Sequence, residues 1–181
     1  MGVRLPRAPR GAVERVLEHP HLAEPLPEEK DWARLLCTAA DSPYPCRDRA
    51  ILHLFWWLAL TVHDVLALRA EDVDFLCGRI RWGEGRQGLL PPEALRVLAA
   101  YASMERDPRC TRLFGGRHGR PLSRAQIASL FARLSAASGV PVSPHALRMA
   151  AIYRLLRGNP LHAFTTLRPH REEVRASRAA E

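Results

Sequence analysis

Two stretches of helical apolar spacing dominate this sequence and restrict what it can fold into. Residues Arg47–Leu60 and Ser123–Ser138 carry apolar side chains at helical intervals. Strand patterns are confined to Phe75–Trp82 and Gln87–Leu90, and the turn Gly83-Glu84-Gly85 between them predicts an antiparallel hairpin. The sequence therefore predicts a mainly α-helical protein with a small antiparallel β-sheet, of the α+β class.

Prolines, capping residues and glycines give the limits of the other elements. Leu113-Phe114 is predicted as a third short strand. Gly139 is predicted to end the helix Ser123–Ser138. Trp56 and Trp57 are predicted core residues. The remaining predicted helices are Glu28–Ala39, Val62–Leu68, Pro92–Met104 and one from Ser143 to about Arg157, with short ones at Ala12–Glu18 and Leu161–Thr166.

The proline pattern also predicts the domain organisation. Five prolines before residue 28 indicate that residues 1–27 form an extended arm, and residues 28–181 are long enough for a single domain with a core of its own. The apolar run Leu52–Leu60 is too short to span a membrane, so we predict no membrane association and a cytoplasmic location. No metal-ligand spacing is evident, and we predict no metal and no cofactor. Four cysteines without CxxC pairing are predicted to be reduced, buried thiols: Cys37, Cys46, Cys77 and Cys110.

The charge balance predicts a polyanionic partner. The net charge is +8, the sequence pI is about 10.3, and all the basic residues except Lys30 are arginine. A GC-rich genome would explain arginine in place of lysine, but it would not explain the surplus of cations. Duplex DNA is the partner that this surplus favours. One run of six arginines forms a candidate basic stripe: Arg106, Arg109, Arg112, Arg117, Arg120 and Arg124.

The segment from Ser143 to Arg148 carries the candidate site. His145 and Arg148 are three residues apart on a predicted helix, so they share a face and can grip one anion. His170 follows 22 residues after Arg148. An HxxR pair alone arises often by chance, and its sequence neighbours give it weight.

Three segments in this order resemble the catalytic domain of the tyrosine recombinases, the phage integrase family: Leu66–Asp74, Pro121–Ile127 and Ser143–Arg148. The resemblance covers roughly Leu26 to His170 and implies a tyrosine recombinase catalytic-domain-like fold, with a role in DNA integration and site-specific recombination. In that family a tyrosine attacks a DNA phosphodiester, two arginines and a histidine hold the phosphate oxygens, and a hairpin lysine protonates the leaving oxygen. The resemblance implies that His145, Arg148 and His170 are remnants of this set, and that Asp64 is the family's acidic residue.

Three of the family's catalytic groups are not matched. Thr61 stands where the first arginine is expected, and Glu84 stands at or near the place of the hairpin lysine. Arg86 could replace the lysine's charge, but a guanidinium is a poor proton donor. The tyrosine is expected near Ala179, whereas the tyrosines of this chain are Tyr44, Tyr101 and Tyr153. Tyr153 is predicted to have a core or capping role.

We therefore predict a DNA-binding protein, associated with the nucleoid, that has the recombinase fold without strand cleavage. The predicted phosphate contacts are His145, Arg148, His170, Arg86, Arg117, Arg120 and Arg124. The separate DNA-clamping domain that family members usually carry before this domain is not expected within the chain. The alternatives are an inactive remnant and a regulatory or protein-interaction module, in which residues 171–180 join subunits of a homo-oligomer or a recombinase partner. An enzyme remains an alternative only if a partner supplies the tyrosine and the cations.

Overall fold

A computed structural model describes residues 25–158 of the chain, with only the backbone of residue 117 and of residues 156–158. Six helices and three strands lie in this range, so the predicted helical protein with a small antiparallel sheet is confirmed. The predicted helices Ala12–Glu18 and Leu161–Thr166 lie outside the described residues. The elements are α1 (Glu29–Ala40), α2 (Pro45–Leu58), α3 (Val62–Ala67), β1 (Val73–Asp74), β2 (Arg79–Trp82), β3 (Arg86–Leu89), α4 (Pro92–Met104), α5 (Arg124–Ser138) and α6 (Pro144–Gly158), with 3₁₀ turns at Ala70–Asp72 and Arg117–Gly119.

Helix α2 is the centre of the core. It packs against α1, α4 and α6, and its residues from Ala50 to Trp56 are all buried. Burial on every side explains why its sequence is apolar all round rather than on one face. Trp56 is buried and stacks on Trp32 of α1 with ring centroids 4.8 Å apart, and the half-buried Trp57 packs against the same core. The prediction that both tryptophans are core residues is confirmed.

The first turn of α2 is tied to the end of α4 by a carboxylate. Glu105, which ends α4, accepts hydrogen bonds from the backbone N–H groups of Cys46 and Arg47 at 2.8 and 3.0 Å. These N–H groups have no partner within their own helix, and a negative charge at a helix N-terminus is favourable. The contact joins residues almost sixty positions apart and holds the central helix in place against α4.

The sheet has the order β1-β2-β3, with both pairs antiparallel. The strand predicted at Phe75–Trp82 is shorter in the structure. It starts at Arg79, because the residues before Arg79 form the turn that follows β1. The predicted third strand at Leu113-Phe114 is wrong, since the third strand is Val73–Asp74. The backbone of Leu113 is used elsewhere: its N–H donates to Leu68 O at 2.7 Å, and its carbonyl accepts from the Tyr101 hydroxyl.

The hairpin β2–β3 lies directly on the last turn of α2. A Cβ atom added at Gly88 would lie 2.7 Å from a methyl carbon of Leu58 and 3.1 Å from the Trp82 ring. A side chain at this position of β3 would therefore push the hairpin away from the helix. The glycine allows the close approach that places the neighbouring Arg86 near α3.

Capping residues set the limits of α5 as predicted. The Ser123 hydroxyl accepts a hydrogen bond from Gln126 N, and the Gln126 side chain accepts one from Ser123 N, which makes a capping box. Gly139 ends the helix in the left-handed region with φ 69°.

The four cysteines differ from the prediction of buried thiols, because only Cys110 is buried, Cys46 is half-buried, and Cys37 and Cys77 are exposed.

Tyr101→Phe should lower the free energy of unfolding by about 1–3 kcal/mol, because two buried backbone groups lose their partner. The Tyr101 hydroxyl donates to Leu113 O and accepts from Gly115 N, both at 3.0 Å. Urea denaturation measures the change. Ser103→Ala, which removes an exposed hydroxyl from the same helix, is the control and should change stability by less than about 0.5 kcal/mol. Equal effects of the two changes would contradict this account of the loop anchor.

Candidate functional site

Arg148 is held on α6 by the way this helix begins and by the helix it crosses. The Ser143 hydroxyl accepts a hydrogen bond from Ala146 N at 3.0 Å, which caps the first turn. Ala146, Leu147, Ala150 and Ala151 bury one face of α6. The half-buried Arg148 donates its Nε proton to the carbonyl of Ala59, just beyond the end of α2, at 2.9 Å. This bond orients the guanidinium while its terminal N–H groups stay available.

Thr61 caps helix α3. Its hydroxyl accepts from Asp64 N at 3.1 Å and donates to the Asp64 carboxylate at 2.7 Å, while Thr61 N donates to the same carboxylate at 2.9 Å. These reciprocal bonds form a capping box. A hydroxyl engaged in this way offers no cationic fork to a phosphate. Asp64 thus caps its own helix, with Thr61 as its partner.

Arg86 reaches Asp64 from the β2–β3 hairpin. Its Nη2 donates to Asp64 Oδ1 at 2.9 Å, and its guanidinium lies 5.9 Å from the Trp82 ring centroid on the opposite strand. Gly83 provides the room, because a Cβ atom there would lie 2.6 Å from Nη2 of Arg86. Gly83 also has φ 55°, a backbone conformation that glycine adopts without strain. The turn sequence thus allows the side chain to fold back toward α3.

Asp64, Thr61, Arg86 and Arg148 together form what we call the Asp64 cluster. The pKa of Arg148 is lowered, first by burial and less by the nearby Arg86, while Asp64 opposes both effects. An arginine stays protonated despite such a shift. Two guanidinium groups and one carboxylate leave the cluster with a formal charge of +1. Asp64 is buried, whereas 31% of the Arg86 side chain is exposed, so the positive groups lie nearer to solvent than the negative one.

The other predicted site residues lie around the cluster or outside the described range. His145 is exposed on α6, one turn before Arg148, and Glu84 is exposed at the apex of the hairpin. Arg120 and Arg124 are exposed, and no contact between them and the cluster occurs in the described structure. Arg117 opens a 3₁₀ turn, and its side chain is not described. His170 lies outside the described residues.

Half of the six-arginine run makes bonds within the protein. Arg106 donates to the carbonyls of Cys110 and Arg112, and Arg112 donates to Ala67 O at 2.7 Å. Arg109 forms an ion pair with Asp107 at 2.7 Å. Backbone carbonyls in irregular segments need such donors, because no helix or sheet ladder satisfies them. A count of arginines along the sequence cannot separate these roles.

Tyr153 belongs to another cavity. It is half-buried on α6 and lines a space with Leu26, Trp56 and Arg154, none of which is part of the Asp64 cluster.

Across residues 25–158, no group of three or more histidine, cysteine or acidic side chains is placed to hold a metal ion. The same part of the chain has no helix that is long and apolar enough to cross a membrane.

Comparisons with known proteins agree with this fold. The profile of the Phage integrase family matches residues 28–173. Tyrosine recombinase XerC from Xanthomonas campestris pv. campestris (strain B100) is 29% identical over 163 residues, which cover 87% of this chain and 47% of the relative. The chain thus spans about half the length of that relative.

Solved structures with the same fold include XerA recombinase and the Tn1549 transposon integrase. XerA has a TM-score of 0.69 and 22% identity, and the match covers 84% of this chain and 58% of XerA. The Tn1549 integrase, solved in complex with a circular intermediate DNA, has a TM-score of 0.67 and 16% identity, with 80% of this chain and 58% of the integrase covered.

Asp64→Ala should lower the free energy of unfolding by about 2–4 kcal/mol, because it removes a buried carboxylate that accepts bonds from Thr61 and Arg86. Asp31→Ala is the matched control. Asp31 is also the third residue of a helix and closes a capping box with Glu28, but no arginine of residues 25–158 forms an ion pair with it, so its loss should cost about 1 kcal/mol. Urea denaturation of both variants measures the difference, and equal losses would contradict the role given to the buried pair.

Proposed function

Because the chain belongs to the phage integrase family, the tyrosine recombinases, we propose that it serves DNA recombination or integration by binding duplex DNA at the Asp64 cluster without cleaving it. The observation that carries the proposal is a pair of guanidinium groups near one carboxylate: Arg86 from the hairpin is bonded to Asp64, and the charge of Asp64 also acts on Arg148 of α6. Guanidinium forks suit phosphate oxygens better than any other side chain. Exposed His145 adds a further donor on the Arg148 side.

The bonds within the cluster leave donors for a ligand. Arg148 uses Nε for Ala59 O, and Arg86 uses Nη2 for Asp64, so each keeps other N–H groups for phosphate oxygens. Because Asp64 and Ala59 already orient the two side chains, binding orders them little further, and preorganised groups lose less free energy on binding. The net charge of +8 and the complex of the Tn1549 integrase with DNA support the same partner. A protein bound to DNA in this way would be cytoplasmic and associated with the nucleoid.

The proposal that cleavage is lost rests on three positions. Thr61 is engaged as a helix cap, Glu84 at the hairpin apex would repel a phosphate, and Arg86 cannot release a proton to a leaving oxygen. Tyr101 is buried, its hydroxyl is bonded to Leu113 O, and burial raises its pKa. None of residues 171–181 is a tyrosine, so the segment in which the resemblance places the nucleophile does not contain one.

An interaction module remains the second candidate, with residues 171–180 joining copies of the chain or a recombinase partner. These residues lie outside the described range. The two functions differ in their dependence on salt, because each phosphate contact contributes a log–log slope near −0.9 to DNA affinity and an apolar protein contact does not.

We predict salt-sensitive and largely sequence-independent binding to duplex DNA. Arg148→Ala and Arg86→Ala should each weaken affinity by roughly tenfold and reduce the salt slope by about one unit, because each removes a phosphate contact. Fluorescence anisotropy with a labelled duplex at several salt concentrations measures both quantities. Arg34→Ala, which removes an exposed arginine of α1, is the control and should leave the slope unchanged. Binding that is undetectable at low salt, or three variants that behave alike, would contradict the proposal.

We also predict that the isolated protein forms no covalent adduct with DNA. The reaction needs an attacking oxygen, an acid for the leaving oxygen and a full cationic clamp, and groups that act as one unit are strongly non-additive, so Thr61→Arg alone should not restore it. The assay incubates the protein with a nicked suicide duplex, denatures the mixture and separates it on a gel. A shifted band that disappears in Tyr153→Phe and persists in Tyr44→Phe would contradict the prediction and identify Tyr153 as the nucleophile.

A further inference from the structure

A cavity of about 360 Å³ opens between α1, α2 and α4, and it shares no lining residue with the Asp64 cluster. Its volume lies within the range of roughly 300–1,000 Å³ that is usual for small-molecule sites. The residues that matter here are Leu36 of α1, Arg49 and His53 of α2, and Arg96, Val97 and Ala100 of α4. Apolar side chains thus face polar ones across the space, which is the usual composition of a ligand site.

Two buried polar atoms in the wall of this cavity have no partner. His53 is only 3% exposed, and its Nδ1 makes no hydrogen bond within the described residues. The same holds for Nε of Arg49. The His53 ring makes an edge-to-face contact with Trp32, with ring centroids 5.1 Å apart. Native interiors satisfy the large majority of their buried polar atoms, so two orphans beside one cavity indicate an incomplete site.

The charges that line the cavity favour an anion. Neither Arg49 nor Arg96 forms an ion pair anywhere in residues 25–158, although Glu93 also lines the cavity. Burial, and then the charge of Arg49, lower the pKa of His53 to about 4, so the imidazole is neutral at neutral pH. Burial likewise raises the pKa of the Cys46 thiol, which also lines the cavity, and keeps it protonated. Two guanidinium groups therefore face one carboxylate, and the remaining polar groups are uncharged.

We propose that this cavity binds a small organic anion, whose acidic group pairs with Arg49 and Arg96 and whose apolar part packs against Leu36, Val97 and Ala100. A charged acceptor bound to guanidinium N–H groups beside apolar walls forms stronger bonds than in water. An inorganic anion would use only the charged half of the cavity, and a cation would meet two like charges. A carboxylate and a phosphate monoester share the required chemistry.

The test uses the full chain, with its histidine rings labelled with ¹⁵N and observed by NMR at constant ionic strength. The probes are benzoate, phenyl phosphate, inorganic phosphate and neutral benzyl alcohol. We expect a saturable shift of the His53 ring with benzoate or phenyl phosphate, and at most a weak one with benzyl alcohol. Saturation by benzoate assigns a carboxylate, and saturation by phenyl phosphate assigns a phosphate ester; either result supports the proposal.

Arg96→Gln tests the site without disturbing the core, because Arg96 is exposed. It should weaken binding of the organic anion by about tenfold, and Arg49→Gln should do the same. Arg148→Gln, at the Asp64 cluster, is the control that should leave binding unchanged. The proposal is overturned if no anion gives a saturable shift, if inorganic phosphate binds as tightly as phenyl phosphate, or if Arg96→Gln binds like the unaltered chain.

Discussion

The site depends on the hydrogen bonds that the carboxylate of Asp64 accepts. One buried side chain accepts hydrogen bonds from the backbone and hydroxyl of Thr61 and from the guanidinium of Arg86. It therefore caps α3, attaches the β2–β3 hairpin to that helix and offsets the repulsion between Arg86 and Arg148. Two like charges this close would otherwise raise the free energy of the folded state. Because a single carboxylate faces two guanidinium groups, the cluster is stabilised and still carries a net positive charge.

This arrangement separates anion binding from phosphoryl-transfer chemistry. Holding a phosphate requires fixed cationic donors, which Arg86 and Arg148 can provide from two different elements. Protonating a leaving oxygen requires a group that can give up its proton, and a guanidinium keeps its proton at neutral pH. Thr61 is a second example. The resemblance predicts a cation at this position, whereas the Thr61 hydroxyl caps a helix and so contributes to the fold. Under the proposed function, the cluster is stable and well ordered, and it binds a phosphate without transferring it.

The sequence predicted the helices well because their signals are local. The bounds of α4 match the prediction, and Gly139 ends α5, since prolines, glycines and apolar periodicity act within a few residues. The Leu113-Phe114 strand was predicted wrongly because the bonds of this segment run to Leu68 and Tyr101, which no local pattern reveals.

For the site, the position of His145 and Arg148 on one helix could be predicted from their spacing. The pairing of Arg86 with Asp64 could not, because it joins a hairpin to a helix 22 residues earlier. Arg106 and Arg112 could not be assigned from the sequence either. Their sequence context suggests a basic surface, but their side chains donate hydrogen bonds to backbone carbonyls. Long-range side-chain bonds decide which of many arginines remain available to a ligand.

A double-mutant cycle on DNA affinity tests most directly whether Arg86 and Arg148 bind DNA together as one site. The cycle compares the unaltered chain, Arg86→Ala, Arg148→Ala and the double variant on one duplex at one salt concentration. Groups that contact a shared partner are coupled by about 0.5–3 kcal/mol, so the double variant should lose clearly less affinity than the sum of the single losses. Losses that add within about 0.3–0.5 kcal/mol would show that the two arginines act independently, and would contradict the account.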